Sequence, residues 1–247
     1  MLGLPDAIRV CLFDLDGVLT KTAKVHAAAW KEMFDAYLGE RATRTGEEFL
    51  PFDPVADYDE YVDGKPRYEG VQSFLEARGI DLPRGEPSDP PDAETVDALG
   101  NRKNEIVLRL IRERGVEPYE GSVRYVRAAR DEGLHRAVVS SSTNCRDVLV
   151  AAGIEDLFEV RIDGLVAERE HLRGKPAPDT FLAGARALGA EPAEAAVFED
   201  ALAGVAAGRA GGFGLVVGVD RVGQADGLRE HGADVVVSDL GELVAKA

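Results

Sequence analysis

The residues of this chain best suited to chemistry stand directly behind short apolar runs. Asp14 and Asp16 follow residues 8–13, Ser140, Ser141, Ser142 and Thr143 follow residues 136–139, and Glu199 and Asp200 follow residues 195–198. Lys175 adds a cation in a Lys-Pro turn. If the apolar runs are strands of one parallel sheet, these residues gather beyond its carboxyl edge, where such sheets bind ligands. Three or four carboxylates at one edge repel one another unless a hard cation neutralises them, and Mg2+ prefers a few carboxylates together with waters and phosphate oxygens. Hydroxyls, strand-end amides and a lysine suit a transferring phosphoryl group, whose oxygens need donors and positive charge. Each feature taken singly has a plainer reading. Asp14 and Asp16 would make a turn, Glu199-Asp200 would cap a helix near Ala201, Lys175-Pro176 would be an exposed turn, and the serines would satisfy turn amides. The set as a whole points to Mg2+-assisted phosphoryl transfer.

A set of this kind needs a frame, and the hydrophobic pattern predicts one. Strands are expected at 8–13, 136–139, 158–162, 195–198, 215–219 and 234–237, with helices at 122–131, from 144, at 179–188 and from 201. Repeated strand–helix units with right-handed crossovers predict an α/β fold built on a parallel, Rossmann-like sheet covered on both faces. Residues 45–114 break this alternation. They carry an aromatic, acidic piece at 49–61, helices at 68–78 and 94–114, and a loop with Pro83, Pro87, Pro90 and Pro91. A helix over 22–38 precedes them, with Val25, Ala28, Ala29, Met33 and Tyr37 at helical spacing and Thr22 as its expected N-cap. The expected organisation is a discontinuous core of residues 1–20 and 118–247, with an all-helical insert, 21–117, after the first strand.

Composition narrows the partners. The chain has 247 residues, 45% hydrophobic and 30% charged, enough for a core in one or two domains. Its 29 Lys and Arg against 45 Asp and Glu give a net charge of −16, which repels nucleic-acid backbones and anionic membranes. Cys11 and Cys145 supply neither a disulfide framework nor a four-cysteine metal site. Residues 201–219 are the most membrane-like stretch, but Arg209 and several glycines make them a small-residue helix followed by a strand. A cytoplasmic monomer acting on a small molecule is expected.

Taken together the motifs resemble those of the haloacid-dehalogenase-like phosphotransferase superfamily. Phe13-Asp14-Leu15-Asp16-Gly17-Val18-Leu19-Thr20 is similar to its nucleophile motif, Val139-Ser140-Ser141-Ser142 to its serine or threonine motif, Lys175-Pro176 to its lysine motif and Phe198-Glu199-Asp200 to its acidic motif. All four occur in the family's order and span nearly the whole chain. The insert resembles the helical cap of the β-phosphoglucomutase-like subgroup, with Thr22, His26, Trp30, Gly64, Arg67, Lys103, Asn104 and Lys175-Pro176-Ala177-Pro178-Asp179 at the pattern's positions. The resemblance implies Asp14 as nucleophile and Asp16 as general acid and base, with Lys175 offsetting charge. It implies Mg2+ held by Asp14, Asp16 through its main-chain carbonyl, Glu199 and Asp200. Ser140 and the neighbouring amides would bind the transferred phosphate. Thr22, His26, Gly64, Arg67, Lys103, Ser141, Ser142, Thr143 and Asn144 would contact the rest of a sugar phosphate.

The chain departs from that pattern at three positions. Lys21 stands where an acidic residue is common, Asp63 precedes Gly64 where the pattern has lysine, and Thr143 replaces a lysine. Each loses or moves a cation near the positions that grip the substrate's non-reacting phosphate. The implied activity is interconversion of hexose 1-phosphate and 6-phosphate, with hydrolysis of a phosphomonoester as the alternative. A phospho-aspartate receiver or a non-catalytic sugar-phosphate binder is the alternative from another class. A helical insert that closes over Asp14 fits an enzyme that excludes water and selects substrate.

Overall fold

The computed structural model describes residues 2–244; residues 1 and 245–247 of the expected core lie outside it. Among the described residues, six strands form one parallel sheet: β1 (Val10–Phe13), β2 (His135–Val139), β3 (Val160–Ile162), β4 (Ala195–Glu199), β5 (Leu215–Val219) and β6 (Val235–Val237). Their order is β3-β2-β1-β4-β5-β6. The chain winds outward from β1 to β3, then returns to β4 and winds the other way, so the reversal falls beside β1. Crevices open at such a switch point, and Asp14 stands there.

The central strands are apolar throughout because both faces are covered. Val10 and Leu12 point into a cluster with Ala137, Val139, Phe181 and Val197. Phe13 points the other way, its ring stacked 4.5 Å from that of Phe198 and edge-on, 6.2 Å, to Tyr125. Helix α7 (Asp179–Ala187) lies against β1, β2 and β3, and α4 (Glu120–Asp131) against β2. Helix α8 (Leu202–Ala210) covers β4 and β5, and α9 (Ala225–Glu230) covers β5 and β6. Two shorter helices, α5 (Cys145–Ala151) and α6 (Gly164–Arg169), follow β2 and β3. Both cysteines are buried thiols. Residues 201–219 form α8 and β5, and no helix among the described residues is long and apolar enough to cross a membrane.

The chain divides into two compact units, one running to Lys21 and resuming at Val116, the other spanning Thr22–Gly115. The second unit is helical: α1 (Ala23–Thr45), a π turn (Tyr58–Val62), α2 (Arg67–Ala77) and α3 (Val96–Arg114). Trp30, Phe34, Phe52, Phe74 and Leu99 form its core, with Phe34 and Phe74 ring centres 4.1 Å apart. Truncating such an aromatic to alanine costs about 3–5 kcal/mol.

Two expectations for this unit are corrected. Helix α1 runs past residue 38 to Thr45 and ends at Gly46, whose φ is +76° and whose amide donates to the Ala42 carbonyl. Residues beyond Leu38 leave the core, so no apolar period marks them, and the stop is the left-handed glycine. Thr22 takes the N-cap position of α1 as expected, but its side chain makes no capping hydrogen bond. The cap at α3 is made as the residue types favour, with Thr95 Oγ1 accepting from the Ala98 amide at 3.1 Å. Residues 46–55 are irregular, tied down through Phe52: its amide donates to Asp35 Oδ1 and its carbonyl accepts from Lys31 Nζ.

Candidate active site

Adjacent strands in register bring the first residues together. Phe13 pairs with Phe198 and Val138, so the positions just beyond them, Asp14, Glu199 and Val139-Ser140, share one edge. The Asp14 amide donates to the Phe198 carbonyl, which carries the pairing one residue beyond β1. Lys175 enters from the loop before α7 and is fully buried. Its Nζ donates to Asp14 Oδ1 at 2.5 Å, to Glu199 Oε1 at 2.6 Å and to the Val139 carbonyl at 3.3 Å.

Burial opposes the Lys175 ammonium, yet Asp14 and Glu199 outweigh it and raise its pKa, so the charge is kept. Burial pushes the Asp14 carboxyl up; Lys175 pulls against that shift, while Glu199 and Asp16 add to it. One ammonium is too little for this cluster. Asp14, Glu199 and Asp200 each bring a carboxylate oxygen within 4.8 Å of the others, and ionised together they would carry two negative charges beyond the one that Lys175 balances. That surplus fits a divalent cation held by oxygen donors. The Asp16 carboxylate is not one of the three.

Glu199 also serves the local fold. Its Oε2 accepts from the Ala201 amide at 3.0 Å, which closes the turn into α8 but is not a side-chain cap of that helix, whose N-cap residue is Ala201. Gly204 makes room for it, since a Cβ there would lie 1.8 Å from Glu199 Oε1.

Asp16 is carried by a tight turn. Gly17 has φ +86°, its amide donates to the Thr20 carbonyl, and the Leu19 and Thr20 amides return to the Leu15 carbonyl. A Cβ on residue 17 would lie 1.7 Å from Asp200 Oδ2, so only glycine lets this turn pass beside the acidic motif. Asp16 is half-buried.

Ser140 is buried, and its Oγ accepts from the Ser142 amide at 3.1 Å, while Ser142 Oγ accepts from the Asn144 amide at 3.1 Å. The serines thus shape the loop that contains Ser141 and Thr143. Two residues absent from the sequence reading hold that loop. The Gly164 amide donates to the Ser142 carbonyl, and a Cβ at Gly164 would meet the Ser141 carbonyl oxygen at 2.8 Å; Asp163, paired with Arg161 at 2.6 Å, caps α6 beneath it. Arg221 and Gln224 were also missed, although they follow the apolar run of β5 as the other candidates follow theirs.

The remaining candidates lie in the second unit. Lys103 is buried, with Nζ 2.8 Å from His26 Nδ1 and 4.7 Å from the Trp30 ring centre. Trp30 is core. Gly64 has φ +68°, and Arg67 is the first residue of α2, its guanidinium 4.7 Å from the Tyr68 ring centre with Nη2 donating to Tyr68 Oη at 2.7 Å. Lys65 points elsewhere, donating to Ser73 Oγ. Thr22 is buried.

A switch-point sheet carrying an aspartate pair, a buried lysine and an acidic turn defines a class of phosphate-handling enzymes. The chain belongs to the haloacid dehalogenase-like hydrolase family, whose model matches residues 8–212, and it is an enzyme. Beta-phosphoglucomutases of Mycobacterium bovis and of Mycobacterium tuberculosis strain CDC 1551 are each 59% identical to it over 247 residues, 99% of this chain and 94% of theirs. The beta-phosphoglucomutase of Bacillus subtilis is 31% identical over 237 residues, 96% of this chain and 92% of its own. A crystal structure of beta-phosphoglucomutase from Clostridium difficile superposes with a TM-score of 0.75 at 26% identity, covering 96% of this chain and 93% of that one.

Proposed function

We propose that this enzyme transfers a phosphoryl group on a sugar phosphate through an aspartyl phosphate at Asp14, interconverting the 1- and 6-phosphates of a hexose. The observation that carries the chemistry is the buried Asp14 carboxylate with one oxygen held by Lys175 at 2.5 Å. The other oxygen attacks phosphorus; the Asp14 O–P bond forms as the bond from phosphorus to the sugar oxygen breaks. Asp16 gives its carboxyl proton to that departing oxygen. In the return step a sugar hydroxyl attacks the aspartyl phosphate and Asp16 takes the hydroxyl proton, which restores both carboxyls. Lys175 stays protonated throughout and balances charge on Asp14. Ser140 and the amides of Ser141, Ser142 and Thr143 receive the oxygens of the transferred phosphate, with Asn144 at the end of the same loop. Asp14, Glu199, Asp200 and the Asp16 carbonyl would hold Mg2+, which when bound offsets repulsion between nucleophile and phosphate. Thr22, His26, Gly64, Arg67 and Lys103 are assigned to the sugar and its second phosphate.

Mutase activity is favoured over simple hydrolysis by the 59% identity, across nearly the full length of both chains, to proteins named for that reaction. The domain reading follows: residues 1–20 and 118–247 carry the chemistry and 21–117 select the substrate. The enzyme acts as a cytoplasmic monomer on a small molecule. The test is β-glucose 1-phosphate with Mg2+ and a hexose bisphosphate primer, following glucose 6-phosphate and free phosphate together. Glucose 6-phosphate is expected to outpace phosphate; phosphate alone would establish the hydrolase. Asp14→Asn is expected to abolish both products.

A further inference from the structure

The loop that follows β5, residues 220–224, takes no part in the assignments above, yet it reaches both catalytic turns. Asp220 folds it by accepting from the Gly223 and Gln224 amides at 2.7 and 2.9 Å. Gln224 Nε2 donates to the Asp200 carbonyl at 3.1 Å. Arg221 goes to the other turn. Its Nε donates to the Gly17 carbonyl at 2.8 Å, its Nη1 to the Ser238 carbonyl at 2.7 Å, and its guanidinium lies 3.6 Å from the Tyr119 ring centre. Asp239 pairs with it at 3.2 Å. The next carbonyl, Val18, accepts from buried Ser122 Oγ at 2.6 Å. The two carbonyls immediately after Asp16 are therefore pinned to side chains from distant parts of the chain, and Arg221 is itself fixed on three sides.

We propose that Arg221 is a positioning residue that sets where the Asp16 carboxyl stands for proton transfer, an inference that rests on the acid–base reading of Asp16. The turn is short, and Gly17 imposes little stiffness of its own at φ +86°. With the Gly17 carbonyl released to water, the carboxyl one residue earlier is free to shift. A planar fork can donate to two separated carbonyls while stacking on a ring; a lysine ammonium cannot do all three. A misplacement of about 1 Å at a reacting group costs on the order of 100-fold in rate.

The consequence is selective. A sugar oxygen needs a proton to leave, whereas p-nitrophenolate leaves without one, so a displaced Asp16 slows phosphorylation of Asp14 by the first donor and spares it with the second. The experiment measures formation of the aspartyl phosphate in a single turnover with Mg2+, from β-glucose 1-phosphate and from p-nitrophenyl phosphate. It compares the unmodified protein with Asp16→Asn, Arg221→Ala and Arg221→Lys. Arg221→Ala is expected to lose about 10- to 100-fold on the sugar donor and less than about 3-fold on the aryl donor, with the apparent affinity for each donor unchanged. Arg221→Lys is expected to stay impaired in the same selective way. If Arg221→Ala does not fold, Ser122→Ala, which removes the 2.6 Å donor to the Val18 carbonyl and leaves it only the longer contact to Arg221 Nη2 at 3.5 Å, is expected to show the same selectivity in weaker form. Equal losses on both donors, or no loss, while Asp16→Asn is selective, would overturn the proposal and leave the acid–base reading standing. An unselective Asp16→Asn, or no phosphorylation of the unmodified protein by either donor, would overturn that reading and this inference with it.

Discussion

Lys175 shows how one buried side chain can be both structural and chemical. It is held between Asp14 and Glu199 and contacts water scarcely at all, with 1% of its surface exposed. Removing one partner of a buried ion pair costs about 3–5 kcal/mol, because the remaining charge is left uncompensated. Here two carboxylates are left, with Asp200 close by. Lys175→Ala is therefore expected to unfold at lower temperature than the unmodified protein and to regain more of that loss when Mg2+ is added, since a cation then has more negative charge to meet. Thermal denaturation with and without Mg2+ measures both effects. An identical Mg2+-induced shift in the two proteins would mean that the cation does not bind against these carboxylates. The lysine motif was legible in the sequence because Lys-Pro recurs in a known order with the other motifs. Its partners were legible only as a set, since nothing in the spacing of Lys175, Asp14 and Glu199 says which oxygens it takes.

At the scale of elements, what the sequence revealed follows burial. All six strands were visible as apolar runs because both faces of the sheet are covered, and the edge strand β3 was overdrawn by two residues because Phe158 packs its ring 6.1 Å from Phe13 without joining the ladder. The exposed end of α1 was invisible, having no core face. Arg221 and Gln224 stand behind the apolar run of β5 as the other candidates stand behind theirs, but the main-chain carbonyls they bind leave no mark in the residue pattern. Gly17, in contrast, was readable as a turn but not as a close approach. The difference between those two uses of glycine is testable. Gly17→Ala must hold an L-residue at φ +86° and place a Cβ 1.7 Å from Asp200 Oδ2. Gly46→Ala carries a similar φ of +76° but meets nothing within 4 Å. Both are expected to lose about 1–2 kcal/mol of stability from the left-handed backbone. Only Gly17→Ala is expected to lose phosphoryl transfer as well, by on the order of 100-fold, since the turn and the acidic motif must move apart. Denaturation midpoints and single-turnover rates on both variants decide it, and an active Gly17→Ala would show that the turn tolerates displacement.

Across the whole molecule, a net charge of −16 works against any phosphorylated substrate, so capture must depend on a few well-placed cations. The groups proposed for chemistry, Asp14, Asp16, Ser140, Lys175, Glu199 and Asp200, all belong to one compact unit, while Arg67 and Lys103 belong to the other. Two functions carried by separate units should fail separately. Arg67 is held by a chain of hydrogen bonds: Tyr68 Oη accepts from it and donates to Asn101 Oδ1, and Asn101 Nδ2 donates to the Pro87 and Asp89 carbonyls. The proline-rich loop thus backs the guanidinium through Tyr68, which gives that long segment a physical purpose. Arg67→Ala is expected to weaken a hexose bisphosphate by about 2–5 kcal/mol if the charge pair is desolvated when bound. Release of p-nitrophenol from p-nitrophenyl phosphate, which has no second phosphate, is expected to change little. Tyr68→Phe keeps the ring and removes the hydroxyl, so it should fall between the unmodified protein and Arg67→Ala on the bisphosphate while leaving the aryl substrate alone. Steady-state kinetics on the two substrates separate the outcomes: a loss confined to the bisphosphate assigns Arg67 to the second phosphate, and equal losses on both would make it a residue of the fold of its own unit.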